Sequence, residues 1–261
     1  MKSFGSPEPF FKRVLEKIKH PYKSKFEDTF GMQNLNVLAK IENLWYNKSN
    51  EGKKEREMEQ KVNYGLWLER EIAKIKASGV RPRLLLHACC APCSSYVLEY
   101  LSEFFDIILY FYNPNITPRE ENNFRAEELR RLCSEMPLAS LPEIIVEAYE
   151  PETFYEAVKG MESMREGESR CAVCYRLRLE KTAQKAKELG VDYFTTTLTI
   201  SPYKRAEWLN KIGGELAESY GIPYLFSDFK KKNGYKRSCE LSRIYNLYRQ
   251  DWCGCEFSKK N

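Results

Sequence analysis

Arg83-Leu-Leu-Leu-His87-Ala-Cys-Cys-Ala-Pro-Cys93 joins a short apolar run to three closely spaced thiols, and the reading of this stretch decides the fold. A continuous apolar run without polar alternation is the mark of a strand covered on both faces. The spacing therefore predicts a strand over 83–87, a cysteine loop, and a helix over about 94–103. The alternation repeats downstream. A second apolar run covers 106–112 and ends at Asn113-Pro114, a helix is expected over about 120–136 carrying Leu129, Leu132 and Met136, and a strand over 143–148. Further on, a helix over about 175–189 places Tyr175, Leu179, Ala183 and Ala186 on one face. A strand over 192–198, a helix over 204–220 with Leu209, Ile212 and Leu216 inward, and a strand over 223–227 complete the series. Strands separated by helices imply an α/β fold with a parallel sheet covered on both sides. In such sheets ligands lie beyond the carboxyl ends of the strands, where strand order reverses. The loops at Cys89-Cys90, 113–117, 197–204 and Asp228 are expected to converge there.

Upstream, a helix over about 63–76 is expected with Leu68, Ile72 and Ile75 on one face, stopping before Ser78-Gly79 and Pro82. Residues 1–62 differ in character, rich in Pro, Lys and Glu with a charge run over 51–61. Phe10, Val14, Leu15 and Ile18, and then Leu35, Leu38, Ile41 and Leu44 or Trp45, recur at helical spacing. The expectation is an N-terminal helical, charged extension over 1–62 and one core domain over 63–261.

At 261 residues, 43% hydrophobic and 30% charged, the chain fits a globular protein and excludes global disorder, collagen-like repeats and a coiled-coil rod. No stretch approaches the roughly 18 consecutive apolar residues that a membrane span needs, and the first 25 residues lack the apolar segment of a secretory signal. A cytoplasmic protein is expected. Lys and Arg number 42 against 37 Asp and Glu, so the net charge of +5 permits nucleic-acid binding only through a local basic surface.

Nine cysteines in a chain without an export signal point to metal binding or redox chemistry rather than structural disulfides. Seven cluster, as Cys89-Cys90-Ala-Pro-Cys93, Cys171-Ala-Val-Cys174 and Cys253-Gly-Cys255; Cys133 and Cys239 read as small, partly buried hydrophobes. The first group lies between a strand and a helix whose N-terminus favours thiolates, and the second is expected just before a long helix. Two CxxC elements, counting Cys90 with Cys93, approach a four-thiolate site, which suits zinc or an iron–sulfur cluster equally by donor type. Cys253-Gly-Cys255 could form a redox disulfide or ligate a second metal; the bland alternative is a frayed terminus. Between Asp228 and Arg249, seven Lys or Arg are interleaved with Tyr235, Tyr245 and Tyr248, a pattern that suits single-stranded RNA and also an ordinary solvated helix face. His87 reads as a satisfied core histidine. Thr195-Thr-Thr-Leu-Thr-Ile-Ser201 with Lys204 offers hydroxyls and one cation for a phosphate or ribose.

Taken together, His87-Ala-Cys-Cys-Ala-Pro-Cys93, Arg170-Cys-Ala-Val-Cys-Tyr-Arg-Leu-Arg-Leu179, Thr196-Thr-Leu with Ser201-Pro-Tyr-Lys204, Asp228-Phe-Lys-Lys with Gly234-Tyr-Lys-Arg-Ser238, and Tyr248-Arg-Gln with Cys253-Gly-Cys255 closely resemble the QueH family, the cobalamin-independent epoxyqueuosine reductases. The resemblance covers about residues 63–256. It implies a sheet similar to the nucleotide-binding HUP and PP-loop folds, with the cysteine loop standing where those folds carry a phosphate loop, and it implies the last step of queuosine biosynthesis, removal of the epoxide oxygen from epoxyqueuosine at the wobble position of a tRNA. It further implies a 4Fe-4S cluster on Cys89, Cys90, Cys171 and Cys174, and a redox pair at Cys253 and Cys255. Spacing by itself favours Cys93 over Cys89, and Cys93 stays a candidate for either centre.

Reducing an epoxide to an alkene takes two electrons and two protons and releases water, while a single cluster ordinarily passes one electron at a time. A second centre and an external electron donor are therefore expected. Either a Cys253/Cys255 dithiol or a mononuclear iron held by cysteines and Asp228 would serve, the latter as a Lewis acid at the epoxide. The catalytic set is Asp228, Cys253, Cys255 and Cys93, and the expected RNA contacts are Lys204, Lys231, Tyr235, Lys236 and Arg237. Two other readings compete. A tRNA-thiolating sulfurtransferase should carry a phosphate loop, and no glycine-rich cradle is found; a zinc-stabilised RNA-binding module leaves Cys253-Gly-Cys255 unexplained.

Overall fold

The computed structural model describes residues 62–259. The helices expected nearer the N-terminus lie outside them. Helix α1 (Tyr64–Ser78) starts where Asn63 accepts from the Leu66 amide at 3.2 Å and stops at Gly79, whose φ of 66° only glycine adopts without strain. Leu68, Ile72 and Ile75 are its buried residues, as their spacing requires.

Four strands, β1 (Arg83–His87), β2 (Asp106–Phe111), β3 (Glu143–Val146) and β4 (Tyr193–Thr196), form one sheet in the order β3-β2-β1-β4, with every pairing parallel. The pleat sends alternate residues to opposite cores. Leu84 and Leu86 with Ile107, Leu109 and Phe111 enter one core, together with α1, α2 (Ala91–Leu101) and α3 (Arg119–Glu135). Leu85, Ile108 and Tyr110 enter the other, against α5 (Ser169–Leu189) and α6 (Ala206–Tyr220). That two-sided cover is why these strands read as unbroken apolar runs. The chain crosses from β1 through β2 to β3 and returns to pair β4 on the other side of β1, so the reversal of strand order lies between β1 and β4.

Three expectations are corrected. The run over 223–227 is no strand: its backbone pairs with β4 at one bridge, Phe194 with Tyr224, through bonds from the Phe194 amide to the Pro223 carbonyl at 3.0 Å and from the Leu225 amide to the Phe194 carbonyl at 2.9 Å. Side chains hold the rest, Asn210 Nδ2 donating to the Ser227 carbonyl at 2.7 Å, the Ser227 amide donating back to Asn210 Oδ1 at 2.9 Å, and Thr195 Oγ1 donating to the Leu225 carbonyl at 2.8 Å. Strand β4 ends at Thr196, whose hydroxyl accepts from the Leu198 amide at 3.1 Å and turns the chain into a short 3-10 helix over Thr197–Ile200. Helix α5 begins at Ser169 rather than 175, because the buried Arg170 ties its first turn to the carbonyls of Glu162, Met164 and Phe257. Cys171 and Cys174 thus sit inside the helix, not ahead of it. A short helix α4 (Pro151–Ala157) had no counterpart in the sequence pattern, and α7 (Gly234–Ile244) carries the basic stretch.

Candidate metal centre

Cys89 follows β1 directly, Cys90 caps α2, and Cys93 lies in its first turn, so the three thiols meet the positive end of the helix. Their sulfur atoms all lie within 4.8 Å of one another, Cys89 and Cys90 at 3.6 Å, with Cys89 and Cys90 buried. Thr197, just past β4, stands 3.9 Å from the Cys89 sulfur. The group therefore occupies the reversal point between β1 and β4. Hydrogen bonds from the Cys90 and Cys93 thiols, helped by the charges of Arg178 and Lys204, hold Cys89 well below the usual thiol range against the cost of burial. Their own protons are held correspondingly harder: the bond to Cys89 pushes Cys90 up to about 12 and raises Cys93 as well.

The second thiol group packs beside it. Cys174 and Cys255 share a buried cluster with Phe154 and Val158, and Cys253 leans on the same cluster. The Gly167 amide donates to the Cys171 sulfur at 3.2 Å. A bond from Cys255 lowers Cys253 most, with Lys204 and Ser258 adding to it, and Cys255 is raised in turn. The charge of Lys204 is felt by Cys89 in one group and Cys253 in the other. Its side chain is 11% exposed, it pairs with Glu166 at 3.5 Å, and the charges on Cys253, Tyr175, Glu166 and Cys89 raise its pKa despite the opposing effect of burial. Beside it, a cleft of about 490 Å³ opens between residues 165–168 and 202–205, with Tyr203 on its rim. His87 is fully buried, bonded to Thr196 and the Tyr112 carbonyl, and burial with the nearby Arg178 drops it to about 3, so it stays neutral.

Soft sulfur donors, burial and two flanking cations fit a thiolate-bound metal group, because the cations offset the charge that such a group accumulates. Sulfurs all within 4.8 Å of one another could share one ion as they stand, whereas a cubane cluster, whose ligands bind different irons, requires Cys89 and Cys90 to part from their 3.6 Å separation.

A family model described as Epoxyqueuosine reductase QueH matches residues 84–261. The chain belongs to the QueH family. It is 45% identical over 204 residues to Epoxyqueuosine reductase QueH of Streptococcus pyogenes serotype M1, an alignment that spans 77% of this chain and 80% of that protein. The protein of the same name from Staphylococcus epidermidis is 41% identical over 203 residues, spanning 76% of this chain and 85% of the other. That of Thermotoga maritima is 36% identical over 176 residues, spanning 67% and 89%. The resemblance read from the motifs is borne out.

In this QueH chain the site residues inferred from sequence divide among several places. Cys89, Cys90 and Cys93 form the tight group, while Cys171, Cys174, Cys253 and Cys255 lie around α4, α5 and the C-terminal turn. Asp228 pairs with Lys230 at 2.8 Å, and Lys230 also donates to the Thr199 carbonyl at 2.8 Å, so the carboxylate is tethered to the turn that carries Thr197. Lys231 and Lys236 are exposed on and before α7, Tyr235 is half-buried, and Arg237 is engaged with Glu99 and Glu240. Lys204 is held in the cleft instead of on an outer basic surface. Sequence reasoning gave Arg178 and Arg125 no role of their own and placed Asn113 only within a loop expected to converge on the site. Arg178 follows Cys174 by one helical turn, and that i,i+4 spacing was the available signal; Asn113 and Arg125 reach the site only through tertiary contacts.

Proposed function

We propose that this chain reduces epoxyqueuosine to queuosine in the anticodon loop of tRNA, in the cytoplasm, with electrons from an external donor. The substrate epoxide gains two electrons and two protons, its carbon–oxygen bonds break, the oxygen leaves as water and the ring carbons become an alkene. The observation that carries the reading is the gathering of Cys89, Cys90 and Cys93 at the reversal point of a QueH sheet, with a second thiol set beside it. Cys89, Cys90, Cys171 and Cys174 would hold the 4Fe-4S cluster, and Asp228, Cys253 and Cys255 the second centre, as a mononuclear iron site or a dithiol, with Cys93 beside Cys89 and Cys90 as a further ligand for either. Bound there, the cluster would supply electrons one at a time.

The protein's own groups do the rest. The Lys204 ammonium, 11% exposed and lining the cleft, is the cation suited to bond the departing oxygen. Tyr203, 74% exposed on the rim, offers a face for a base lifted from the loop, and Lys231, Tyr235, Lys236 and Arg237 would meet the stem-loop backbone. Lys230 pairs with Oδ1 of Asp228, so a metal there would be bound through Oδ2 or by displacing Lys230.

The test is anaerobic purification with iron and sulfide analysis, a spectrum, and turnover on tRNA carrying the epoxide. Broad absorption at roughly 400 nm, as thiolate-bound clusters give, and conversion of the nucleoside are expected. Full activity in zinc-loaded, iron-free protein would overturn the cofactor assignment, and no conversion by cluster-loaded protein would overturn the reaction.

A further inference from the structure

Arg178 is 3% exposed on α5, and its guanidinium reaches both cysteine-bearing elements. Nη2 donates to Oδ1 of Asn113 at 2.6 Å, and Asn113 Nδ2 donates to the carbonyl of Ala88, the residue before Cys89, at 2.9 Å. Nη1 stands 4.0 Å from the sulfur of Cys174, one turn earlier on the same helix. The remaining donor, Nε, is buried and has no hydrogen-bond partner among the described residues.

A guanidinium keeps its charge at any working pH, and burying one without an anion is costly. No carboxylate lies in salt-bridge range of Arg178 among the described residues, although many other arginines have one. The ionisable groups that face it are thiols, Cys174 at 4.0 Å foremost and then Cys89 and Cys253, whose thiolates a bound metal group would stabilise. Such a residue does two things at once. Through Asn113 it spaces the Cys89 loop from the Cys174 turn, and with its fixed charge it opposes the negative charge that a thiolate-bound group gains on reduction. Hydrogen bonds to cluster sulfur act in the same direction, and Nε is a donor still free to make one.

We propose that Arg178 is a positioning residue that, with Asn113, sets the separation of the two cysteine elements and raises the reduction potential of the iron–sulfur group held between them. This rests on the cofactor reading above, and the experiment separates the two. Potentiometric titration, followed by absorbance, is run on anaerobically prepared wild type, Arg178→Lys, Arg178→Met and Asn113→Asp. Arg178→Met is expected to weaken reduction at least tenfold, about 59 mV for a one-electron couple. Arg178→Lys should stay close to wild type, since it keeps the charge. Asn113→Asp, nearly isosteric, should shift in the same direction as Arg178→Met because its carboxylate neutralises the cation. A wild-type potential in Arg178→Met, or equal shifts in the Lys and Met variants, overturns the inference. Where Arg178→Met binds no iron, Asn113→Asp decides, and an unshifted potential there overturns it. Absence of iron and sulfide from wild type overturns the cofactor reading and this inference with it.

Discussion

Arg125 donates from Nη1 to the carbonyl of Cys253 at 3.2 Å, tying helix α3 to the C-terminal Cys253-Gly254-Cys255 turn. The same guanidinium pairs with Glu121 at 2.7 Å and lies 5.5 Å from the Trp252 ring, while the Thr117 amide donates to the Gly254 carbonyl at 3.0 Å. A chain end that could have frayed is fastened at three points, which brings its two thiols against Cys174.

Gly254 is the position on which that turn depends. Its φ of 99° is unfavourable for any other residue, and an added Cβ would come 2.7 Å from Ile116 Cγ1 and 3.2 Å from Arg125 Nη1. Gly254→Ala is expected to cost about 1–3 kcal/mol, read as a lower denaturation midpoint, and to abolish turnover by moving Cys253 and Cys255. Wild-type turnover in this variant would show that the turn's geometry is not needed.

Arg125→Met should leave Glu121 without its buried partner and free the C-terminal turn. A destabilisation of about 3 kcal/mol is expected in urea unfolding. Amide exchange at Thr117 should quicken in parallel, because the strap across its acceptor Gly254 is lost.

Cysteine substitutions should sort by place. Cys133 is buried in an apolar core, where burial pushes its thiol up to about 12 and keeps it protonated and inert. Cys133→Ala is expected to cost about 1 kcal/mol yet keep full iron content, as is Cys239→Ala. Cys89→Ala, Cys90→Ala and Cys174→Ala should each lose the cluster absorption. Iron loss on changing Cys133 or Cys239 would show that the ligand assignment is wrong.

The basic surface is tested by charge reversal. Lys231→Glu with Lys236→Glu alters exposed residues and should leave thermal unfolding unchanged while weakening tRNA binding. Two lost phosphate contacts would lower the slope of log K against log salt by about 1.5. Unchanged binding across salt would reduce this stretch to a solvated face.

Element type was legible wherever periodicity was strong: Leu68, Ile72 and Ile75 on α1, the triple leucine of β1, and Leu209, Ile212 and Leu216 on α6 are all buried. It failed where a single bridge and side-chain bonds stand in for a strand ladder. The run over 223–227 looks like a strand, but Asn210 and Thr195 hold its backbone, and nothing local foretells a partner so distant in sequence.

By itself, the order of residues determined the family, the alternating architecture and the three groups into which seven of the cysteines fall, because periodicity and cysteine spacing are local properties of a chain. Only the tertiary structure decided which thiols stand together, that Lys204 lines a cleft beside Glu166, and that Arg178 reaches Cys174 on one side and, through Asn113, the Cys89 loop on the other. These facts depend on contacts between residues far apart in sequence. Such contacts form when strand order reverses at β1 and β4 and the last turn folds back onto α3 and α5, an arrangement that local spacing does not encode.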